Sequence, residues 1–417
     1  MTRLMNVLLM LFAFAVPWEY SLNLGEPFGN VARIAGVLLL VAGIPAVLMR
    51  RGIRMPGMLQ WLVLALYLYF ACSYFWTIDS DVTTDKIRAY FQVMMVTWIV
   101  WEFCETQGDL RNMMRALVAG CWLLVVLTVL DFSAASASAA EQIRFVAEGQ
   151  DPNDVARFLD LGFPFAALLF AIEKAWPIRL LALGYLPAGL LAVLLTASRG
   201  GFSAALVSLL GTAILLVVWR PRAASVILIG VAITALVLWM FVPAGSLDRL
   251  ATIPEQLGSS DLNDRYNIWI AGWRAFTQRP WMGYGAGNYT AAARLATGDT
   301  AHNTVMAVLV TGGLFALTLC GAIVAGVAWS IARTSGLLRI ALATVLAVWI
   351  ITSMVGSVEE NRITWLVFGM MALAGRLACE ATKSKATCPL YADKSTRQVS
   401  LAGIFHGRPV GAGGPID

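Results

Sequence analysis

Two histidines occur in the 417 residues, in unlike surroundings. His406 lies in a polar tail and is set aside. His302 stands in Ala301-His302-Asn303-Thr304, where a long polar loop runs into an apolar stretch. An imidazole there is the side chain best suited to take a proton near neutral pH; the plain alternative is a capping or interfacial histidine. Arg199, in Thr196-Ala-Ser-Arg-Gly-Gly201, sits at the edge of another apolar stretch. An arginine in the apolar zone costs roughly 2.5–3.5 kcal/mol on insertion scales, so it is usually paired or functional. Its planar fork binds phosphate oxygens bidentately, and Gly200-Gly201 would let a ligand approach the backbone. The bland reading is snorkelling to the surface. Glu359-Glu360-Asn361-Arg362 forms a short charged turn, expected to be solvated, from which Arg362 could reach the same pocket. Asp79-Ser80-Asp81 has the spacing of a metal-assisted sugar-transferase motif, but that pattern is common by chance and no metal is expected. No nucleotide-binding loop occurs, which disfavours a sugar-nucleotide donor.

These groups must be positioned by a membrane-embedded scaffold. The chain is 59 % hydrophobic and only 13 % charged, with a mean hydropathy of +0.74. Soluble domains carry roughly a quarter charged residues. That excludes a disordered chain, a secreted disulfide scaffold and a soluble nucleic-acid binder. A membrane helix needs about 20 mostly apolar residues, because lipid offers the backbone no partners. About twelve such stretches are present, near 4–18, 31–49, 58–76, 87–104, 113–131, 158–172, 178–197, 202–219, 224–243, 304–332, 337–355 and 363–378. The stretch 304–332 is longer than one span needs, and Gly312-Gly313 is expected to break it.

Twelve spans put both termini on one side. Arg50, Arg51, Arg54, Arg111, Arg115 and the basic tail then gather on that side, and the positive-inside rule makes it cytoplasmic. Cys72, Cys104, Cys121 and Cys320 fall within spans, while Cys379 and Cys388 fall on the inner tail, so no disulfide framework is indicated. Residues 1–378 form the transmembrane domain, and 379–417 form a cytoplasmic tail expected to be poorly ordered.

Two outer loops are long, about 132–157 and about 244–303. Such lengths are usually functional. The first opens with an alanine- and serine-rich run and ends in Asp151-Pro152-Asn153-Asp154. The second holds a predicted helix from Asp264 to about Gln278, with Asp261 and Asn263 as possible caps. At helical spacing Phe276, Trp269, Trp273 and Tyr266 share one face, expected against the bundle or at the lipid boundary. Arg274 falls opposite, toward water, and Arg265 at the edge of the aromatic stripe. Gly283, Gly285 and Gly287 follow in a segment read as flexible or tightly turning.

Ser198-Arg199-Gly200, the Arg265-Tyr-Asn-Ile-Trp269 helix, Pro280-Trp-Met-Gly-Tyr-Gly285 and Ala301-His302-Asn303 together resemble the O-antigen ligase and polymerase superfamily, and Asp151-Pro152-Asn153 fits the same group. The likeness spans about 150–376 and is sharpest from 196 to 303. It implies a GT-C-type membrane glycosyltransferase with about twelve spans and a large periplasmic loop between spans 9 and 10. Such enzymes move a glycan from undecaprenyl diphosphate to a hydroxyl, in the ligases a sugar of lipid A–core. Carried over by motif, the diphosphate-binding arginines fall on Arg199 and Arg265 and the loop-end histidine on His302. An acidic residue near the last outer turn matches either Glu359 or Glu360. Asn303, Asn153 and Arg362 are further candidates for substrate contact. The resemblance implies an inner-membrane protein with a periplasmic site, no cofactor and no nucleic-acid partner. Ligase is favoured over polymerase and over transfer to protein. A lipid-linked glycan transporter is the remote alternative; it would be expected to carry charges at mid-membrane, whereas most charges here lie at span ends.

Overall fold

The computed structural model describes residues 2–25, 29–50, 53–137, 144–252, 265–296 and 299–387. The chain separates into two units, Met1–Leu377 and Ala378–Asp417. The described residues form helices α1 (Thr2–Ala15), α2 (Val31–Arg50), α3 (Met58–Cys72), α4 (Ser80–Phe103), α5 (Gln107–Ala137), α6 (Pro152–Ile172), α7 (Trp176–Leu195), α8 (Arg199–Trp219), α9 (Ala224–Trp239), α10 (Ala244–Ala251), α11 (Arg265–Gln278), α12 (Tyr289–Ala292), α13 (Thr304–Ala332), α14 (Gly336–Ser353) and α15 (Arg362–Thr387). No strand occurs among them. Nine of these helices (α2, α3, α5, α6, α7, α8, α13, α14 and α15) are long and apolar enough to cross a membrane. The other three predicted spans fall on α1 and α9, which are shorter, and on α4, which carries Asp81, Asp85, Lys86, Arg88 and Glu102. The protein is a multi-pass α-helical membrane protein.

Helix α6 is the hub. Every residue from Val155 to Leu169 is buried, and α5, α7, α8 and α14 all pack against it. A helix apolar on all sides is stable only when enclosed in this way. Gly162 leaves room for the Tyr185 ring, whose hydroxyl donates to the Leu159 carbonyl at 2.8 Å. Charges are not confined to span ends. Arg157 and Asp160 lie inside α6, both buried. Arg157 is held by Asp154 at 2.9 Å and by the Asn361 amide oxygen, whereas neither carboxylate oxygen of Asp160 has a partner among the described residues.

The loops sort into two ends of the bundle. One end is tied by Arg54–Glu105, by Arg115 with Glu173, and by Arg376 with the carbonyls of Trp101 and Cys104. The other end is tied by Arg362–Glu19, Ser198 with Asn153, Asn303 with Met354, and Asn288 with Thr77. All the site candidates lie at this second end, called the site end below.

Helix α13 breaks where the glycine pair predicts. Gly313 has φ 64° and ψ −164°, a conformation open essentially to glycine alone. The segment 280–285 docks into that break. The Leu314 amide donates to the Pro280 carbonyl and the Phe315 amide to Trp281, while the amides of Tyr284 and Gly285 donate to Val310 and Thr311. The segment is therefore a fitted splint and not a loose hinge.

Other boundaries differ from expectation. Helix α5 runs on through Ala137, because its alanine- and serine-rich end continues the helix at little cost. The buried face of α11 is Ile268, Gly272, Ala275 and Phe276. Tyr266 and Trp273, placed with Phe276 by spacing, are exposed at 49 % and 54 %. Tyr284, Tyr289, Ala293 and Ala301 pack on the Ile268 side and turn the helix that way. Arg274 is exposed, as expected. Helix α15 extends to Thr387. Asp261, Asn263, Asp264, Cys388 and His406 lie outside the described residues.

Candidate functional site

Arg199 opens α8. Ser198 is its N-cap, with the hydroxyl oxygen accepting from the Gly201 amide at 3.1 Å and the hydroxyl donating to Asn153 Oδ1 at 2.7 Å. Asn153 lies in the first turn of α6, whose own cap is Asp151, accepting from the Asn153 amide at 2.8 Å. Two helix starts are thus pinned to one another, and both aim backbone N–H groups at the same region. Such termini favour anions. The turn leading in is unusual, because Ala197 has φ 47°.

Arg199 does not stand alone there. Its Nε donates to the Arg249 carbonyl at 3.1 Å, and Arg249 Nε donates back to the Ala197 carbonyl at 3.3 Å. Arg144 Nε donates to the neighbouring Thr196 carbonyl at 3.2 Å. Backbone carbonyls thereby hold three guanidinium groups by one edge. Burial pushes the pKa of Arg144 down, and the nearby Arg249, Arg199 and Arg265 charges add to that, against the pull of Asp151. Arg265 is lowered by burial and by Arg199, again opposed by Asp151. Arg144, Arg199, Arg249 and Arg265 therefore form one cationic cluster with Asp151 facing it. Arg265 makes no ion pair among the described residues.

His302 joins this cluster from the far end of the long loop. Trp269 Nε1 donates to the Ala301 carbonyl at 2.9 Å, and the Tyr289 hydroxyl donates to Ile268, so the loop before His302 is buttoned to α11. Asn303 caps α13 by accepting from the Met306 amide, and its Nδ2 donates to the Met354 carbonyl at 3.1 Å. Between these fixed points His302 adopts φ 45°, a left-handed conformation. Histidine visits that region more readily than most residues, but still uncommonly. Burial lowers its pKa from 6.5, the charge of Arg265 lowers it further, and Asp151 and Asp299 oppose. The imidazole is thus biased to the neutral, proton-accepting form beside a cationic patch.

The structure brings Arg199, Arg265, Asn153 and His302 together, with Asn303 as the cap that seats the histidine. Arg362 does not join them. It pairs with the buried Glu19 and donates to Gln92 Oε1 at 3.0 Å, at a different cavity. Glu359 is not the solvated acid expected of a short turn. Its Oε2 is buried without a partner among the described residues, and burial followed by the charge of Glu360 raises its pKa to about 7, against hydrogen bonds from its own backbone and Thr304 and the charge of Lys86. Glu360 itself is bound to Lys86 at 2.5 Å. Asp79 caps α4, accepting from the amides of Asp81 and Val82. Arg144 and Arg249 belong to no recognisable motif: Arg144 stands between Ile143 and Phe145, and Arg249 follows Asp248 in the short helix α10. The one signal was an excess of arginine in the two long loops.

Fold and site together define a multi-pass helical membrane protein with an arginine cluster and one histidine at a single end of its bundle. Residues 185–321, which hold Arg199, Arg249, Arg265 and His302, match the O-antigen ligase family (Wzy_C), so the superfamily resemblance stands over the part of the chain that carries its motifs. No curated protein matches the chain.

Proposed function

We propose that the chain is an O-antigen ligase, a GT-C-type transferase of about twelve spans in the bacterial inner membrane. It moves a glycan from undecaprenyl diphosphate to a sugar hydroxyl of lipid A–core on the periplasmic face. The observation that carries this reading is the convergence of Arg144, Arg199, Arg249 and Arg265 on the region of His302.

In this reaction the leaving group is a lipid diphosphate, whose negative charge grows as the glycosidic bond breaks. Arg199 and Arg265, with Arg144 and Arg249 beside them, stabilise that charge in a partly dry site, where fixed cations are worth far more than in water. His302 takes the proton of the acceptor hydroxyl as its oxygen attacks the anomeric carbon from the face opposite the diphosphate. The bond to the diphosphate breaks as the new C–O bond forms, and the anomeric configuration inverts. General-base help of this kind contributes typically 10²–10⁴-fold. The arginines supply the electrophilic role, so the proposed mechanism uses no metal.

The test is a gel of surface lipopolysaccharide from a deletion strain, complemented with wild type or His302→Ala. Loss of all glycan on the core, with polymer accumulating on the carrier lipid and no rescue by a folded His302→Ala protein, fits the ligase. A core bearing a single repeat unit means polymerase. An unchanged ladder removes both.

A further inference from the structure

A cavity of about 420 Å³ lies between α1, α2 and α4, away from the arginine cluster. Arg33, Arg88, Gln92 and Arg362 line its mouth at the site end, and below them the walls are apolar, from Leu39 and Leu40 on α2 to Met95 and Ile99 on α4. Eleven residues of helix separate Arg88 from Ile99, so the walls descend about 16 Å at 1.5 Å per residue. That is close to one leaflet of a hydrocarbon core about 30 Å thick. The cavity reaches the outer face of α2, where Val37 in its wall is 52 % exposed.

The charges at the mouth favour one kind of head group. Arg362 is neutralised by Glu19, and Arg88 by Asp85 at 3.0 Å, the latter an exposed pair. Arg33 is exposed and makes no ion pair among the described residues. Among the described residues the mouth therefore carries an excess of one positive charge, which matches a phosphodiester monoanion better than a diphosphate.

We propose that this groove is a second lipid site, taking an anionic glycerophospholipid whose phosphodiester sits on Arg33 and Arg88 and one of whose acyl chains lies against Leu40, Met95 and Ile99. It is separate from the diphosphate site and does not depend on which hydroxyl accepts the glycan. A further apolar cavity of about 270 Å³ shares Leu39, Leu40, Met95 and Ile99 and continues toward Phe103. A polyprenyl chain long enough to run through both cavities is the rival occupant.

The purified full-length protein would be examined by native mass spectrometry with dioleoylphosphatidylglycerol, dioleoylphosphatidylcholine or undecaprenyl diphosphate. Phosphatidylglycerol should be retained over phosphatidylcholine. Retention should fall about tenfold or more in Arg33→Ala/Arg88→Ala, since each charged hydrogen bond is worth roughly that factor. It should fall similarly in Leu40→Trp, which fills the groove and leaves the mouth charge intact, and stay unchanged in Arg199→Ala. Both arginines are exposed at the surface, so their removal should leave the melting temperature in place. Equal retention of the two phospholipids, or wild-type retention in both groove variants, overturns the site. Displacement of phosphatidylglycerol by undecaprenyl diphosphate, lost in those same variants, overturns the assigned occupant.

Discussion

Gly313→Ala should cripple the protein without touching a charged or titratable group. A Cβ added at Gly313 would stand 2.3 Å from the Trp281 carbonyl oxygen and 2.7 Å from the Met282 nitrogen. Those are backbone atoms, so no rotamer change relieves the clash. The backbone conformation itself costs a non-glycine residue about 1–3 kcal/mol. Segment 280–285 must then lift from α13 and lose up to four amide bonds, to Pro280, Trp281, Val310 and Thr311. At about 0.5–1.5 kcal/mol each, the total reaches about 3–9 kcal/mol if all four are lost. The same segment leads through residues 286–301 to His302, so activity should fall with stability. The control is Gly230→Ala on α9, where an added Cβ meets nothing within 4 Å; it should be neutral or gain about 0.5–1 kcal/mol of helix stability. Melting of the purified proteins, followed by intrinsic tryptophan fluorescence, compares the two variants. If Gly313→Ala melts with Gly230→Ala and transfers glycan at the wild-type rate, the splint reasoning is wrong.

Activity should hold to a pH below 6.5 and fail as His302 protonates; Arg265→Ala removes a positive neighbour, so any residual activity should show its acid limb shifted upward, which a pH–rate profile reads. Arg144→Ala and Arg249→Ala should each lower kcat by roughly 10²–10³-fold with little change in folding, if they stabilise leaving-group charge as the proposed mechanism requires; near-wild-type turnover in both would reduce the site to Arg199 and Arg265. Ser198→Ala removes the cap of α8 and its bond to Asn153, and should cost about 0.5–2 kcal/mol in a denaturation series. Glu359 has its folded pKa raised, so its contribution to stability is complete below about 4.5 and is lost as pH rises through about 7. Glu359→Gln should remove that alkaline loss, and parallel melting curves for variant and wild type from pH 5 to 8.5 would refute it.

What the sequence made legible was whatever rests on local chemistry. Apolar run lengths located the long helices, the Gly312-Gly313 pair located the break in α13, and residue type with position at a loop or span end named His302 and Arg199 as candidates. What stayed hidden depends on contacts distant in sequence. The direction in which α11 turns is decided by Tyr289 and Ala301, not by its own aromatic spacing. The Glu359-Glu360 turn looks solvated until α4 brings Lys86 to Glu360 and leaves Glu359 half-buried. Arg362 resembles a site residue by position in the chain, yet Glu19, more than three hundred residues earlier, claims it. Arg144 and Arg249 have no motif at all; contacts distant in sequence, among them those to the carbonyls of Thr196 and Ala197 and from Arg199 to the Arg249 carbonyl, bring them to Arg199.

That last arrangement bears on how several guanidinium groups can be gathered at one end of a membrane protein. Four guanidinium groups beside one another repel, and the simplest remedy, a carboxylate for each, would compete with an anionic substrate. Here the cost is lowered by backbone carbonyls, which accept from Nε of Arg144, Arg199 and Arg249 without bringing a full negative charge. Asp151 is the carboxylate whose field reaches Arg144, Arg265 and His302 together, and it is already engaged as the cap of α6. In the groove between α2 and α4, two of the three arginines are matched by acids, leaving a single positive charge among the described residues. If both regions take anions as proposed, the charge at the groove mouth should set which anion the groove prefers. An Asp85→Asn change, which frees Arg88, should raise the groove's retention of undecaprenyl diphosphate relative to phosphatidylglycerol; an unchanged ratio in the same native mass spectrometry would show that mouth charge does not set the choice.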